Sequence, residues 1–384
     1  MSTLPPENLK PSERSEMSSG PLGVARFVAS TFSTIRSREP PSASKTIHIR
    51  LITIASSHYC EKVRWAFDLI ESRQDNPYYY TEDGHPAPFQ SWETHKLTNG
   101  KVSATPMIVF EENCSQQVLY GSDVILRKFM PELYPKEIEE RVVEMELDFG
   151  RRLGATIRCW GQFQLLRDLK KFHAAAVKLN ANTAHVSRVE NILYDKMLDK
   201  GIDAGMKKAL VINEDSGEAS LVAIRELFDE VSDRMEKSDC EYLLDTKDKS
   251  YGFTAADLAF AALAFPILRP PEMKSWLVDL SELPKSMNDL TEELINTKAG
   301  QYALNIYKKH RLPKGVDQVN MKSVNRNKYP CEGIMVSWIA VAKQFLAIIS
   351  YNWIEANTSS NNASAASPRG DSVYPKFSDS MHLI

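Results

Sequence analysis

The chain is poor in cysteine, and the little it has is scattered. Its five cysteines (Cys60, Cys114, Cys159, Cys240 and Cys331) are odd in number and nowhere fall at metal-ligand spacing. That excludes a disulfide framework and a thiolate metal centre, and fits reduced thiols in a reducing compartment. An excess of either charge is missing as well: the formal net charge is −3. No basic stripe carries interleaved aromatics, so nucleic acid is excluded as a partner. There is no internal repeat, and the chain does not open on a basic-then-apolar signal segment. What is present is 384 residues of ordinary apolar content, enough for one large core or two smaller ones, with the length favouring two domains.

Residues 1–45 are rich in Ser, Pro and Glu and read as a disordered leader on a cytoplasmic protein. A second reading stays open there. From Met17, "MSSGPLGVARFVASTFSTIRSR" is acid-free and Ser-rich and carries Arg26, Arg36 and Arg38, as organellar transit peptides do. After the linker "REPPSASK", the β-branched run "IHIRLITIA" predicts a buried strand. Val63, Ala66, Phe67 and Ile70 then recur at helical spacing. "YYYTED" predicts a second strand, "MIVF" and "QQVLY" a hairpin around the polar "EENCS", and "SDVILRKFM" a short helix. Beyond Pro135 no strand pattern persists. "EIEERVVEMELDFGRRL", "LVAIRELFDEVSDRME" and "AADLAFAALAFPIL" are helical by period, with a polar excursion over 167–217. The expected organisation is a leader (1–45), a small α/β domain (46–135), an all-helical domain (136–311) and a C-terminal extension (312–384). The extension holds one apolar segment and a low-complexity tail from Ser359.

The polar residues most suggestive of chemistry lie in "ASSHYCEKVRWAFDLIE", residues 55–71. A serine in the turn before a helix sits beside unpaired backbone N–H groups and the positive end of the helix dipole. A thiol held there ionises more readily, and a serine hydroxyl adds a hydrogen bond to the sulfur. The same serine also serves as an ordinary helix cap. Thr254 and Asp257, with Phe253 and Leu258 flanking them, form a capping box and hydrophobic staple, a structural feature without chemistry.

Four stretches in order, "SSHYCEKVRWAFDL", "SATPMIVF", "YGSDVIL" and "FTAADLAFAALAFPIL", resemble the glutathione transferase superfamily, and "AGQYALNIYKKHR" resembles the terminal helix of its bacterial-type subgroup with a Ser-His-Tyr-Cys-Glu-Lys turn. The likeness covers about residues 46 to 311. It implies a thioredoxin-like N-terminal α/β domain and an all-α C-terminal domain, glutathione as co-substrate, no metal, a homodimer and a small-molecule electrophile as acceptor. By the same resemblance Ser57 is the catalytic residue, with Ser56 the neighbouring alternative. Thr105 and a cis Pro106 would hold the cysteinyl backbone of glutathione, and Ser122 with Asp123 its γ-glutamyl end. Gly121 departs from the acidic or amide residue usual at its position. Cys60 matches the second cysteine of a Cys-x-x-Cys and is either packing or a redox thiol. His58 is expected at the surface or behind the site rather than as a base. Arg158 and Trp160, on the first helix of the second domain, are the expected acceptor site.

The leading expectation is therefore a transferase that uses glutathione to attack or reduce a small electrophile. Two alternatives remain: a glutathione-dependent thiol oxidoreductase using Cys60, and a non-catalytic binding protein on the same fold. The segment 333–353, "GIMVSWIAVAKQFLAIISYNW", is long enough to span a bilayer. Lys343 and Gln344 at its middle argue instead for a helix packed on the protein or a partner.

Overall fold

The computed structural model describes residues 47–73, 77–87, 89–112, 114–182, 186, 188–199 and 212–311. The leader, the segment 333–353 and the tail lie outside them. "IHIRLITI" forms strand β1 (Ile47–Ile54), parallel to β2 (Tyr78–His85), with Ile47 opposite Tyr78 and Ile54 opposite His85. On its other side β1 runs antiparallel to β3 (Met107–Glu112), which turns through Cys114 into β4 (Ser115–Tyr120). The sheet order is β2-β1-β3-β4. Both faces of β1 are covered, so Ile49 to Thr53 are all buried, and the polar Arg50 and Thr53 among them are paired with Asp83 and Glu82 of β2. Ile49 and Leu51 join the main core, whereas Ile52 packs with Val102, Met107 and Val109 on the opposite face.

Helix α1 (His58–Glu71) covers the main-core face together with α3 (Ser122–Phe129). The opposite face is closed by α2 (Gln90–Thr98), whose Leu97 packs there. This α2 has no counterpart among the sequence expectations. Its buried residues are Gln90, Ser91, Glu93 and Thr94, so it carries no apolar stripe by which to find it.

Everything that follows among the described residues is helical. Helix α4 (Glu139–Phe149) passes through a π turn at Gly150–Gly154 into α5 (Ala155–Arg167). The polar excursion expected over 167–217 is instead largely ordered as α6 (Leu169–Asn182) and α7 (Arg188–Asp199). Phe172, Tyr194 and Leu198 form a separate small core with Leu166 and Ile212. Helix α8 (Glu214–Ser238) starts earlier than its apolar period indicates, because Asn213 and Ser216 form a reciprocal capping box. Then come α9 (Ala255–Leu268), α10 (Lys285–Ile295) and α11 (Lys298–His310).

Every residue of α9 except Pro266 is buried, and it packs on α1, α4 and α11. Its Asp257 accepts from the Thr254 N–H and hydroxyl (2.7 and 2.6 Å), from the Leu243 N–H (2.9 Å) and from the Tyr302 hydroxyl. The capping box read from sequence thus also ties α9 to α11. The described residues thus form a thioredoxin-like α/β unit followed by an all-helical one, the fold class expected from the sequence. Among the described residues no helix is long and apolar enough to cross a membrane.

Helix α7 and the segment before it are fastened to the sheet edge. Val186 bridges Gly84 of β2, and His85 Nδ1 lies 3.0 Å from Glu190 of α7, with Asp83 at 3.4 Å from its other ring nitrogen. Burial works against the imidazolium, but the two carboxylates outweigh it and hold His85 up to about 10. A group raised in the folded state stabilises fully below its unfolded value of about 6.5 and loses that contribution as pH rises through the folded value. Stability should therefore decline between these limits, and His85→Gln should flatten that decline in urea-unfolding midpoints taken across the range. Parallel wild-type and variant curves would show that the pair contributes nothing.

Candidate functional site

The turn between β1 and α1 is built as its sequence suggests. Ser57 is the N-cap of α1: its backbone is extended (φ −75°, ψ 119°) and its Oγ accepts from the Cys60 N–H at 3.3 Å. Its own N–H donates to the Ile54 carbonyl at 3.0 Å. Ser57 is half-buried and Ser56 exposed. Cys60 is fully buried, and the Ser57 and Thr105 side chains are near enough to favour its thiolate. Burial pushes the Cys60 thiol up, against the opposing pull of Arg64 and these hydroxyls. It is a protonated, enclosed thiol rather than an exposed nucleophile.

The Thr105–Pro106 peptide bond is cis. The Pro106 carbonyl accepts from the Gly121 N–H at 3.2 Å, which sets the start of α3 against this segment. Ser122 is the first residue of α3 and is buried; Asp123, next to it, pairs with Arg127 at 3.2 Å. Gly121 lies at φ +87°, a left-handed conformation that a side chain would strain. Ser57 thus caps the helix that carries Cys60, and Gly121 brings the start of α3, with Ser122 and Asp123, to Pro106.

His58 and Tyr59 face the helical half. The Tyr59 hydroxyl donates to the Gly150 carbonyl at 2.7 Å, and His58 Nε2 donates to the Gly154 carbonyl at 2.9 Å. Both carbonyls belong to the π turn, where the helical ladder is locally broken. Gly154 is required here, since a Cβ on it would lie 2.4 Å from the Tyr59 hydroxyl. Burial, with the charges of Arg158 and Lys62, pushes His58 down to about 3. The imidazole is neutral and its Nε2 proton is committed, so it serves as a strut and not as a base. Of the two placements expected for His58, at the surface or behind the site, the surface one is corrected: it is buried because it bridges the two halves.

Beneath the turn lies a buried ionic network that nothing in the sequence announced. Arg64 Nε donates to Glu82 at 2.7 Å, and its Nη2 donates to the carbonyls of Ile54 (3.1 Å) and Ala55 (3.3 Å). The guanidinium also stacks 4.2 Å from the ring centre of Trp276. Glu82 accepts from Thr53 as well, at 2.5 Å. Arg311 bridges Glu61 (2.8 Å) and Asp68 (2.5 Å), and Asp68 accepts from Tyr80 at 2.8 Å. Arg64 thus fixes the backbone that leads into Ser57.

A cavity of about 220 Å³ opens beside this turn. Ile54 and Ser56 form part of its wall, with Phe172 and Leu179 of α6, Tyr194 of α7, Phe265 and Arg269 at the end of α9, and Trp276. Arg158 and Trp160 do not line it. Trp160 is buried in the main core, and Arg158 lies close enough to His58 and Tyr59 to influence both. The same helix contributes Gln162 and Leu165 to the cavity instead. Among the described residues no cluster of His, Cys, Asp or Glu could hold a metal ion.

No protein-family model matches this chain, and no curated protein matches it. Among solved structures it is similar to a glutathione S-transferase from Pseudomonas fluorescens (12% identity, 65% of this chain and 96% of that one, TM-score 0.34). Another from Methylobacterium radiotolerans, in complex with glutathione sulfonate, has 14% identity over 67% of this chain and 94% of its own, with a TM-score of 0.35. A Tau class glutathione S-transferase from mango has 11% identity over 68% and 97%, with a TM-score of 0.33.

Proposed function

We propose that the protein is a glutathione transferase that activates the thiol of bound glutathione at Ser57 and delivers it to a small electrophile in the adjoining cavity. The observation that carries this reading is the juxtaposition at one point of the start of α1, the Ser57 hydroxyl, Thr105 and a cavity wall that includes Ser56. Ser57 Oγ accepts from the Cys60 N–H and so has its proton free to donate. The Cys60 sulfur is a weak acceptor, and an incoming thiolate outcompetes it. The helix dipole adds stabilisation of the same sign. The sulfur then forms a bond to an electrophilic carbon, whose leaving group departs with the electron pair, or to a peroxide oxygen, breaking the O–O bond so that the other oxygen leaves as alkoxide or hydroxide and glutathione is oxidised to its sulfenic acid. In this reading Thr105 and Pro106 hold the cysteinyl segment, while Ser122 and Asp123 receive the γ-glutamyl end at the start of α3.

The oxidoreductase alternative asks Cys60 to form mixed disulfides, which its enclosure opposes. Cys60→Ala should leave conjugation within about threefold of wild type, as expected for a small buried hydrophobe. Both proteins should lack deglutathionylating activity. Robust deglutathionylation by wild type, lost in Cys60→Ala, would transfer the reading to thiol–disulfide exchange. The non-catalytic alternative draws on Gly121, which offers no side chain, and on Asp123, whose carboxylate is engaged by Arg127. Calorimetric titration with glutathione, alongside turnover of 1-chloro-2,4-dinitrobenzene, separates the readings. Binding with turnover is expected; binding alone favours a non-catalytic protein, and no binding defeats both glutathione-dependent readings.

A further inference from the structure

The cavity beside Ser56 is walled mainly by apolar groups: Phe172, Leu179, Tyr194, Phe265 and Trp276, among others. A dry apolar cavity of about 150 Å³ holds a benzene ring. The 220 Å³ here suits a substituted or fused ring system. One charged side chain stands in this wall. Arg269 is the left-handed C-cap of α9 and is half-buried. Among the described residues its hydrogen bond goes to the Val278 carbonyl, one acceptor for a guanidinium with five donors. Burial lowers its pKa, and Asp279 opposes that only in part. A cation in an apolar wall without a carboxylate hydrogen-bonded to it is a receptor for an anion, because a planar guanidinium pairs with a carboxylate through two parallel bonds.

We infer that the cavity takes an aromatic compound bearing a carboxylate, with the ring among Phe172, Tyr194 and Trp276 and the carboxylate on Arg269. As a statement about acceptor substrates this rests on the transferase reading. As a statement about binding it does not, since it needs no glutathione. Helix α6 supplies Phe172, Ala175, Ala176, Leu179 and Asn180 to this wall and α7 supplies Tyr194. The ring is therefore received by α6 and α7 and the carboxylate by the end of α9.

The test uses full-length protein and two non-reactive probes of equal ring size, 2-naphthoate and 2-naphthalenemethanol, titrated calorimetrically without glutathione. Wild type should bind the carboxylate at least about tenfold more tightly, the usual worth of a charge-assisted hydrogen bond. Arg269→Gln should abolish that preference while keeping the alcohol's affinity. Ala176→Phe, on the cavity wall, should weaken both ligands. Equal affinities in wild type would overturn the proposal, as would a preference that survives Arg269→Gln. So would an Arg269→Gln variant that binds glutathione less well but naphthoate unchanged, since Arg269 would then belong to the tripeptide. Should Arg269→Gln not fold, the wild-type preference and its fate in Ala176→Phe still decide. The predicted pattern in a protein that conjugates nothing would uphold the cavity assignment and sink only the transferase reading.

Discussion

Ser57→Ala is expected to lower the rate of glutathione conjugation by at least about tenfold and up to about a hundredfold, the loss of a hydrogen bond to a charged group worth about 1.5–3 kcal/mol. The effect should fall mainly on the ionisation of bound thiol. The rising limb of the pH–rate profile should therefore move to higher pH, with glutathione affinity little changed. Ser56→Ala should behave differently. Ser56 is exposed and lines the cavity, so its loss should alter KM for the acceptor and leave the pH limb in place. Activity that is untouched in Ser57→Ala but crippled in Ser56→Ala would move the catalytic assignment one residue back. If neither variant matters, the helix N-terminus alone activates the thiol or the chain is not a transferase.

The largest expected effect on stability comes from Arg64→Met. The substitution keeps most of the side-chain volume but leaves Glu82 buried without its cation, and frees the carbonyls of Ile54 and Ala55. Breaking one side of a buried ion pair costs about 3–5 kcal/mol. Arg64→Lys should cost less, about 1–2 kcal/mol, because a charge remains while the fork that reaches both carbonyls is lost. Urea unfolding measures both. A methionine variant as stable as wild type would mean that Glu82 binds a proton or a water without penalty, and the network would then be incidental. Because Arg64 also stacks on Trp276, which lines the cavity, whatever folded Arg64→Lys protein is obtained should show a raised KM for the acceptor.

The parts of this fold that sequence reveals are those where local chemistry and burial agree. The span of α9 follows directly from its period and from Thr254 and Asp257, since a helix buried almost all round has no polar face to blur its ends. The sheet is equally legible, because β1 is sandwiched and the buried run Met107–Phe110 leads into a polar turn. Ser57 is visible as a cap and Cys60 as a packed thiol. Helices α2, α6 and α7 are not visible: α2 buries polar residues, and α6 and α7 hide a small core within a polar stretch. Glu61, Lys62, Arg64 and Asp68 mislead in the opposite sense. On paper they form the solvated face of α1, yet all four are buried because that face lies against the helical half. Residues from so many elements line the cavity that no spacing in the chain could have assembled it. Arg158 and Trp160 show the limit, being on the correct helix but turned to the core and to His58.

Arg311 reaches back across 250 residues to Glu61. Its neighbour His310 offers the carbonyl that receives the Trp65 indole N–H at 3.0 Å. For a nascent chain this separation is a matter of time. At ribosomal rates of about 5–20 residues per second, Glu61 and Asp68 are made roughly 10–50 s before the cation that neutralises them. Through that interval the α/β unit carries acidic groups on a face it must later bury, and those charges keep the surface hydrated and discourage premature association. Arg64, 3.8 Å from Glu61, is the cation of α1 already beside it, so a chain that stops before Arg311 buries Asp68 without the guanidinium that pairs with it.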